Sequence, residues 1–104
     1  ALDRLFQTVR LKSISTDPAY AAETRKCAEW HAADLASIGF KAEVRATPAD
    51  PFVLAKEHSA KGTKVLFYGH YDVQPADPLE LWTDEPFTPV SVTLPDGSKE
   101  IRGR

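Results

Sequence analysis

The sequence has no methionine and only one cysteine, Cys27. A single thiol excludes an internal disulfide and a multi-cysteine zinc finger, and it fits a reducing, cytoplasmic setting. No apolar run approaches the roughly 18 residues that a membrane span needs, and no basic, apolar and small-residue succession of a secretory signal opens the chain. A basic surplus is missing too. Thirteen Lys and Arg stand against fifteen Asp and Glu, a formal charge of −2, whereas nucleic-acid-binding domains usually carry net positive charge. Neither nucleic acid nor membrane is therefore expected as a partner. Internal repeats and low-complexity tracts are also absent.

What is there describes a small folded chain. Its 104 residues allow one domain at most, with a single modest core. Hydrophobic residues make up 42% and charged residues 27%, which sets the chain among ordinary globular sequences rather than disordered ones. Charge is uneven: five acids (Asp72, Asp77, Glu80, Asp84 and Glu85) fall between residues 72 and 85 with no Lys or Arg among them. Such a run is ordinarily a solvated face, though it also supplies the negative field that a cation favours.

Leu2, Leu5, Phe6 and Val9 recur at helical spacing and predict a first helix over residues 2–10. A polar connector, residues 12–17, follows. Asp17 is a good N-cap, Pro18 suits the first helical position, and Gly39 suits the left-handed stop, so a second helix is expected between them. Tyr20, Cys27, His31, Leu35 and Ile38 fall on one arc of it, the expected buried face. Residues 40–47 alternate apolar and polar, as a half-buried strand does. Further strands are expected at residues 52–55, 91–94 and 99–102, the last two joined by the turn Pro95-Asp96-Gly97-Ser98. Val65-Leu66-Phe67-Tyr68 is a continuous apolar run, the pattern of a central strand covered on both faces. Helices followed by a sheet with a buried strand predict an α/β fold.

Chemistry concentrates in Gly69-His70-Tyr71-Asp72-Val73-Gln74-Pro75, directly after that apolar run. Ligands bind at the carboxyl ends of strands in open α/β sheets. Gly69 would permit close backbone approach. His70 and Asp72, two apart, point to the same side of an extended chain, with Tyr71 on the other. Asp72 can accept from one ring nitrogen of His70 while the other ligates a metal. The residues alone leave two readings open: a strand-end histidine bonded to Asp72 for stability, or a metal ligand with its orienting carboxylate. One histidine does not make a catalytic site, which typically takes three protein ligands and a water.

The fourteen residues 65–78, with Leu81-Trp82-Thr83 and Pro86-Phe87-Thr88-Pro89 after them, resemble the co-catalytic zinc hydrolases of the aminoacylase, carnosine-dipeptidase and desuccinylase superfamily. The wording from Asp72 to Pro75 and the Leu-Trp-x-x-x-Pro-Phe pattern are most similar to the carnosinase-like dipeptidases. The first helix, Ser13-Ile14-Ser15 and the second helix also fit the family's opening. The resemblance implies the N-terminal portion of a three-layer α/β/α catalytic domain, two helices followed by a mixed sheet. It implies hydrolysis of a peptide or amide bond with two zinc ions, or other divalent metals, per complete site. It assigns His70 as a zinc ligand and Asp72 as the catalytic residue that orients it. Small peptides or N-acyl amino acids are the implied substrates, and a homodimer is implied for the intact enzyme.

On that reading the 104 residues are a partial catalytic domain truncated on its C-terminal side. Ile101-Arg102-Gly103-Arg104 leads into a second metal motif, and the lid domain is lacking. The missing methionine agrees with a fragment, although removal of an initiator methionine before Ala1 would also explain it. The chain alone is expected to be inactive. Two rival functions remain: deacylation of N-acyl amino acids, and a non-catalytic α/β binding module in which His70 and Asp72 are structural.

Other candidates read as structural. His31 and Cys27 share the buried arc of the second helix, as a packed histidine and an inert thiol. His58 is expected to be solvated in a loop. Trp82 and Phe87 are expected to pack rather than to line a cleft.

Overall fold

The protein is described by a computed structural model that covers residues 1–57, 59 and 61–104. Two helices come first: α1 (Leu2–Val9) and α2 (Ala21–Ser37). Four strands follow: β1 (Lys41–Arg45), β2 (Phe52–Lys56), β3 (Val90–Thr93) and β4 (Lys99–Arg102). The expected α/β character is observed. His58 lies outside the described residues.

Asp17 caps as expected, its carboxylate accepting from the Ala19 N–H at 2.9 Å. The turn it opens is a short 3-10 helix, Pro18–Tyr20, which runs into α2. Gly39 ends the helical region with φ +100°, a conformation that a Cβ would strain. The buried face of α2 differs from the expected arc. Thr24, Cys27 and Ala28 are the buried residues, while Ile38 is 55% exposed and His31 and Leu35 are half-buried. The three buried side chains are all small. The Thr24 hydroxyl donates to the Tyr20 carbonyl at 3.1 Å, so its burial leaves no polar group unpaired.

α1 buries none of its residues. It is tethered to α2 through the Arg4–Asp34 ion pair and a hydrogen bond from Trp30 Nε1 to Gln7 Oε1. At the other side Val9 lies against Gly103, where an added Cβ would stand 3.0 Å from Val9 Cγ1 and 3.4 Å from the Pro89 Cα.

The strands form two separate antiparallel hairpins among the described residues, not one mixed sheet. β1 pairs with β2 from Lys41 opposite Lys56 to Arg45 opposite Phe52. The alternation read at residues 40–47 survives in β1, whose Ala42 and Val44 are half-buried between exposed neighbours. β3 pairs with β4 from Val90 opposite Arg102 to Thr93 opposite Lys99. Their turn is the expected one: Gly97 takes φ +83°, and the Asp96 carboxylate accepts from the Ser98 N–H and hydroxyl.

The central strand expected at residues 65–68 is not formed. Val65, Leu66, Phe67 and Tyr68 are 70, 91, 90 and 92% exposed and belong to neither hairpin. A doubly covered strand needs a neighbour on each edge and a layer on each face. Neither hairpin pairs with it, so no sheet is assembled around it. The whole chain accordingly exposes 7841 Å², against about 5,800 Å² for a compact protein of its mass. Its radius of gyration is 16.4 Å where about 13 Å is usual.

The core sits under loops rather than on a sheet. Ile14, Ala76 and Phe87 form it, with Tyr20, Val73 and Trp82 packed around them. Trp82 and Phe87 do pack, as expected, but Phe87 also lines a cleft beside Ile14, Tyr20 and Ala76; the Trp82 indole N–H is satisfied by the Ala76 carbonyl at 2.8 Å. No helix among the described residues is long and apolar enough to cross a membrane.

Candidate metal-binding site

The site is built where the connector between the helices meets the segment after residue 69. Ile14 and Val73 form a parallel bridge, and the Val73 N–H donates to the Ser13 carbonyl at 2.9 Å. The Ser13 hydroxyl donates to the Tyr71 carbonyl at 2.7 Å. Ser13 and Ile14 are 2% and 4% exposed, so the joint is dry and its polar groups are paired. α2 backs it, with Cys27 Sγ 3.9 Å from the Tyr71 carbonyl oxygen and the His31 ring 6.0 Å from the Tyr71 ring.

This short strand-like pairing sorts the side chains as the two-residue period predicts. Tyr71 turns toward α2, and its hydroxyl donates to the Pro51 carbonyl. His70 and Asp72 turn the other way and meet, with His70 Nδ1 3.0 Å from Asp72 Oδ1. The same nitrogen is 3.0 Å from the Asp72 carbonyl oxygen. An Nδ1–H shared between these acceptors leaves Nε2 with its lone pair free, the tautomer a metal ligand needs. The second carboxylate oxygen, Oδ2, accepts from the Ser15 hydroxyl at 2.7 Å. That bond is the leading reason why Asp72 is held below the usual carboxylate range, with the His70 contact adding to it against partial burial.

His70 is the more open partner, with 74% of its side chain exposed against 42% for Asp72. Both face a shallow cleft of about 270 Å³ that Val73, Gln74 and Arg104 also line. Arg104 is tied there: its Nε donates to the Gln74 carbonyl at 3.1 Å and its backbone N–H to the Pro86 carbonyl at 2.6 Å. Gly69 is not a close-approach glycine, since a Cβ on it would meet nothing within 4 Å.

Among the described residues, no group of three or more His, Cys, Asp or Glu side chains converges on one point. The site therefore offers one histidine with an orienting carboxylate, not a full ligand set. Cys27 does not compete, because burial pushes its thiol up and away from the thiolate form. Burial likewise holds His31 below its ordinary value, in keeping with a packed imidazole. Sequence reasoning missed Ser15 and Arg104. Ser15 lay in what read as a connector, and its spacing from Asp72 carries no local signal. Arg104 lay in a stretch whose relation to Gln74 is purely tertiary.

No protein-family model matches the chain. Individual proteins do. A succinyl-diaminopimelate desuccinylase of Polynucleobacter necessarius is 37% identical over 84 residues, covering 74% of this chain and 21% of that protein. A Cys-Gly metallodipeptidase of Schizosaccharomyces pombe is 30% identical over 96 residues, covering 82% and 20%. One of Candida albicans is 32% identical over 102 residues, covering 84% and 21%. The fold agrees with that of the di-peptidase Dug1p from Saccharomyces cerevisiae at a TM-score of 0.74 and 29% identity, over 86% of this chain and 21% of the other. The desuccinylase match has the higher identity and the dipeptidase matches the longer reach, so both branches stay in view. The chain spans about one fifth of the length of each of these relatives. Over that span it is similar to succinyl-diaminopimelate desuccinylases and to Cys-Gly metallodipeptidases.

Proposed function

We propose that this chain carries part of the active site of a metal-dependent peptide or amide hydrolase, with His70 a metal ligand through Nε2 and Asp72 the residue that orients it. The observation that carries the reading is the 3.0 Å contact from Asp72 Oδ1 to His70 Nδ1. It occupies one ring nitrogen and leaves the other at the open cleft, as ligating histidines are arranged. Zinc suits a neutral imidazole supported in this way, with two ions per complete site by the family resemblance and other divalent metals accepted. Bound zinc would polarise the scissile carbonyl and lower the pKa of a water. This chain's own part is narrower: it supplies one ligand, fixes its tautomer and presents it to solvent.

The substrate is a dipeptide or another small peptide. An N-acyl amino acid is the second reading, favoured by the 37% identity to a desuccinylase. Both contain the same amide bond. The architecture we propose for the complete catalytic domain is a three-layer α/β/α fold with a mixed sheet, with residues 65–68 in its middle and these 104 residues as its N-terminal part. A lid domain, a homodimer and a cytoplasmic setting belong to the same proposal, the last supported by the lone buried Cys27.

The test is zinc titration of the 104-residue chain by calorimetry, with hydrolysis of dipeptides and N-acetyl amino acids assayed alongside. Weak binding that vanishes in His70→Ala, without hydrolysis, is expected. Two tightly bound zinc ions would overturn the partial-site reading. Zinc binding that is unchanged in His70→Ala would favour the non-catalytic module instead.

A further inference from the structure

We infer that Ser15 is a positioning residue for the His70–Asp72 pair. Its hydroxyl locks the Asp72 carboxylate so that His70 keeps its proton on Nδ1 and offers Nε2 to a divalent cation. The cation half of this statement rests on the function proposed above, whereas the tautomer half stands on its own.

Serine, aspartate and histidine are joined here, but not as a nucleophile is activated. In a hydrolytic triad the histidine takes the serine's proton. Here the Ser15 hydroxyl donates to the carboxylate at 2.7 Å and the histidine sits on the other carboxylate oxygen. The serine oxygen gains no base and stays a spectator to bond making. What it does is geometric. The terminal torsion of an aspartate is broad when unrestrained, and Asp72 is exposed enough to turn its oxygens to water. Holding Oδ2 fixes where Oδ1 points.

The holder is itself fixed. Ser15 follows Ile14, which is 4% exposed and bridged to Val73, and precedes the Asp17 cap. The two carboxylate oxygens therefore answer to two parts of the chain, the connector and the segment after residue 69. The backbone carbonyl of Asp72 also lies 3.0 Å from Nδ1, so loss of the serine weakens the preference without abolishing it.

A merely structural serine is available for comparison. Ser13 makes a bond of the same length on the same connector, but to the Tyr71 backbone carbonyl. The test is nitrogen NMR of histidine-labelled chain at a pH where the imidazole is neutral, with His70→Ala to assign the signals. Wild type is expected to show the Nδ1–H form of His70. Ser15→Ala should raise the Nε2–H form about threefold, a smaller effect than the roughly 10- to 100-fold loss of metal affinity that follows removal of a ligand's direct partner. Ser15→Thr should restore the wild-type pattern. Ser15→Cys, a weaker donor of similar size, should fall between, and it serves the same test if the alanine variant does not fold. Ser13→Ala should lower stability and leave the His70 tautomer unchanged. An unchanged tautomer in Ser15→Ala or Ser15→Cys would overturn the inference, and so would an equal shift in Ser13→Ala. Zinc added to wild type separates the two halves. If the tautomer responds as stated and zinc leaves His70 Nε2 unmoved, positioning stands and the metal reading falls.

Discussion

Residues 65–68 and residues 70–73 are almost adjacent in sequence and differ in whether their side chains find partners. The first four are apolar and bare, with exposures from 70 to 92%. The second group is polar at His70, Tyr71 and Asp72, yet every one of these side chains has a named partner. Hydrophobicity alone would have reversed the two. The difference is made by backbone pairing: Val73 finds Ser13 and Ile14, while 65–68 finds no strand among the described residues. Pairing has to be built by both sides, and among the described residues only the segment that meets the connector has found its second side.

The largest test of that contrast is Ile14→Ala. Ile14 is central to the core and to the bridge with Val73, so urea denaturation should show a loss of about 2–5 kcal/mol. A loss below about 1 kcal/mol would mean that the joint does not hold the fold together. Ser13→Ala should cost less, about 1–3 kcal/mol, because it leaves the Tyr71 carbonyl without its hydroxyl donor in a dry place.

A pH series should then reach the joint through α2. Burial holds the His31 imidazolium below its ordinary value of 6.5, against a smaller upward pull from Asp34. The unfolded chain therefore binds the proton more readily. The contribution to stability is full above about pH 6.5 and is lost as pH falls from there through the lowered folded value. His31→Gln should flatten that part of the curve, and a dependence of opposite sign would show that His31 gains a partner as a cation. The smallest effect belongs to Phe67→Ser. With 90% of Phe67 exposed, its unfolding free energy should stay within about 0.5 kcal/mol of wild type. A large loss would show that 65–68 is covered in solution and would dissolve the comparison.

Local rules were enough for much of this. The Asp17 cap, the stop at Gly39, the Asp96-Gly97 turn and the same-side placement of His70 and Asp72 all depend on residues within a few positions of each other, and all are observed. The buried face of α2 was legible only in part. Helical spacing favours large apolar residues, whereas the residues that α2 buries, Thr24, Cys27 and Ala28, are small. Residues 65–68 misled for a related reason, since an apolar run states what a strand requires and not whether this chain supplies it. Ser15 and Arg104 were invisible because their partners, Asp72 and Gln74, are tens of residues away.

That separation sets an order of events. The contact between Ser15 and Asp72 closes a loop of 57 residues, whereas Thr93 meets Lys99 across a short turn. By chain entropy alone the first closure costs about 2 kcal/mol more than the second. The hairpin can form early and locally, but the carboxylate that orients His70 is set only once the connector and the distant segment have found each other. On the function proposed above, a ligand-competent His70 would be a late product of folding, and a cation that selects it would report the completed joint rather than the presence of secondary structure.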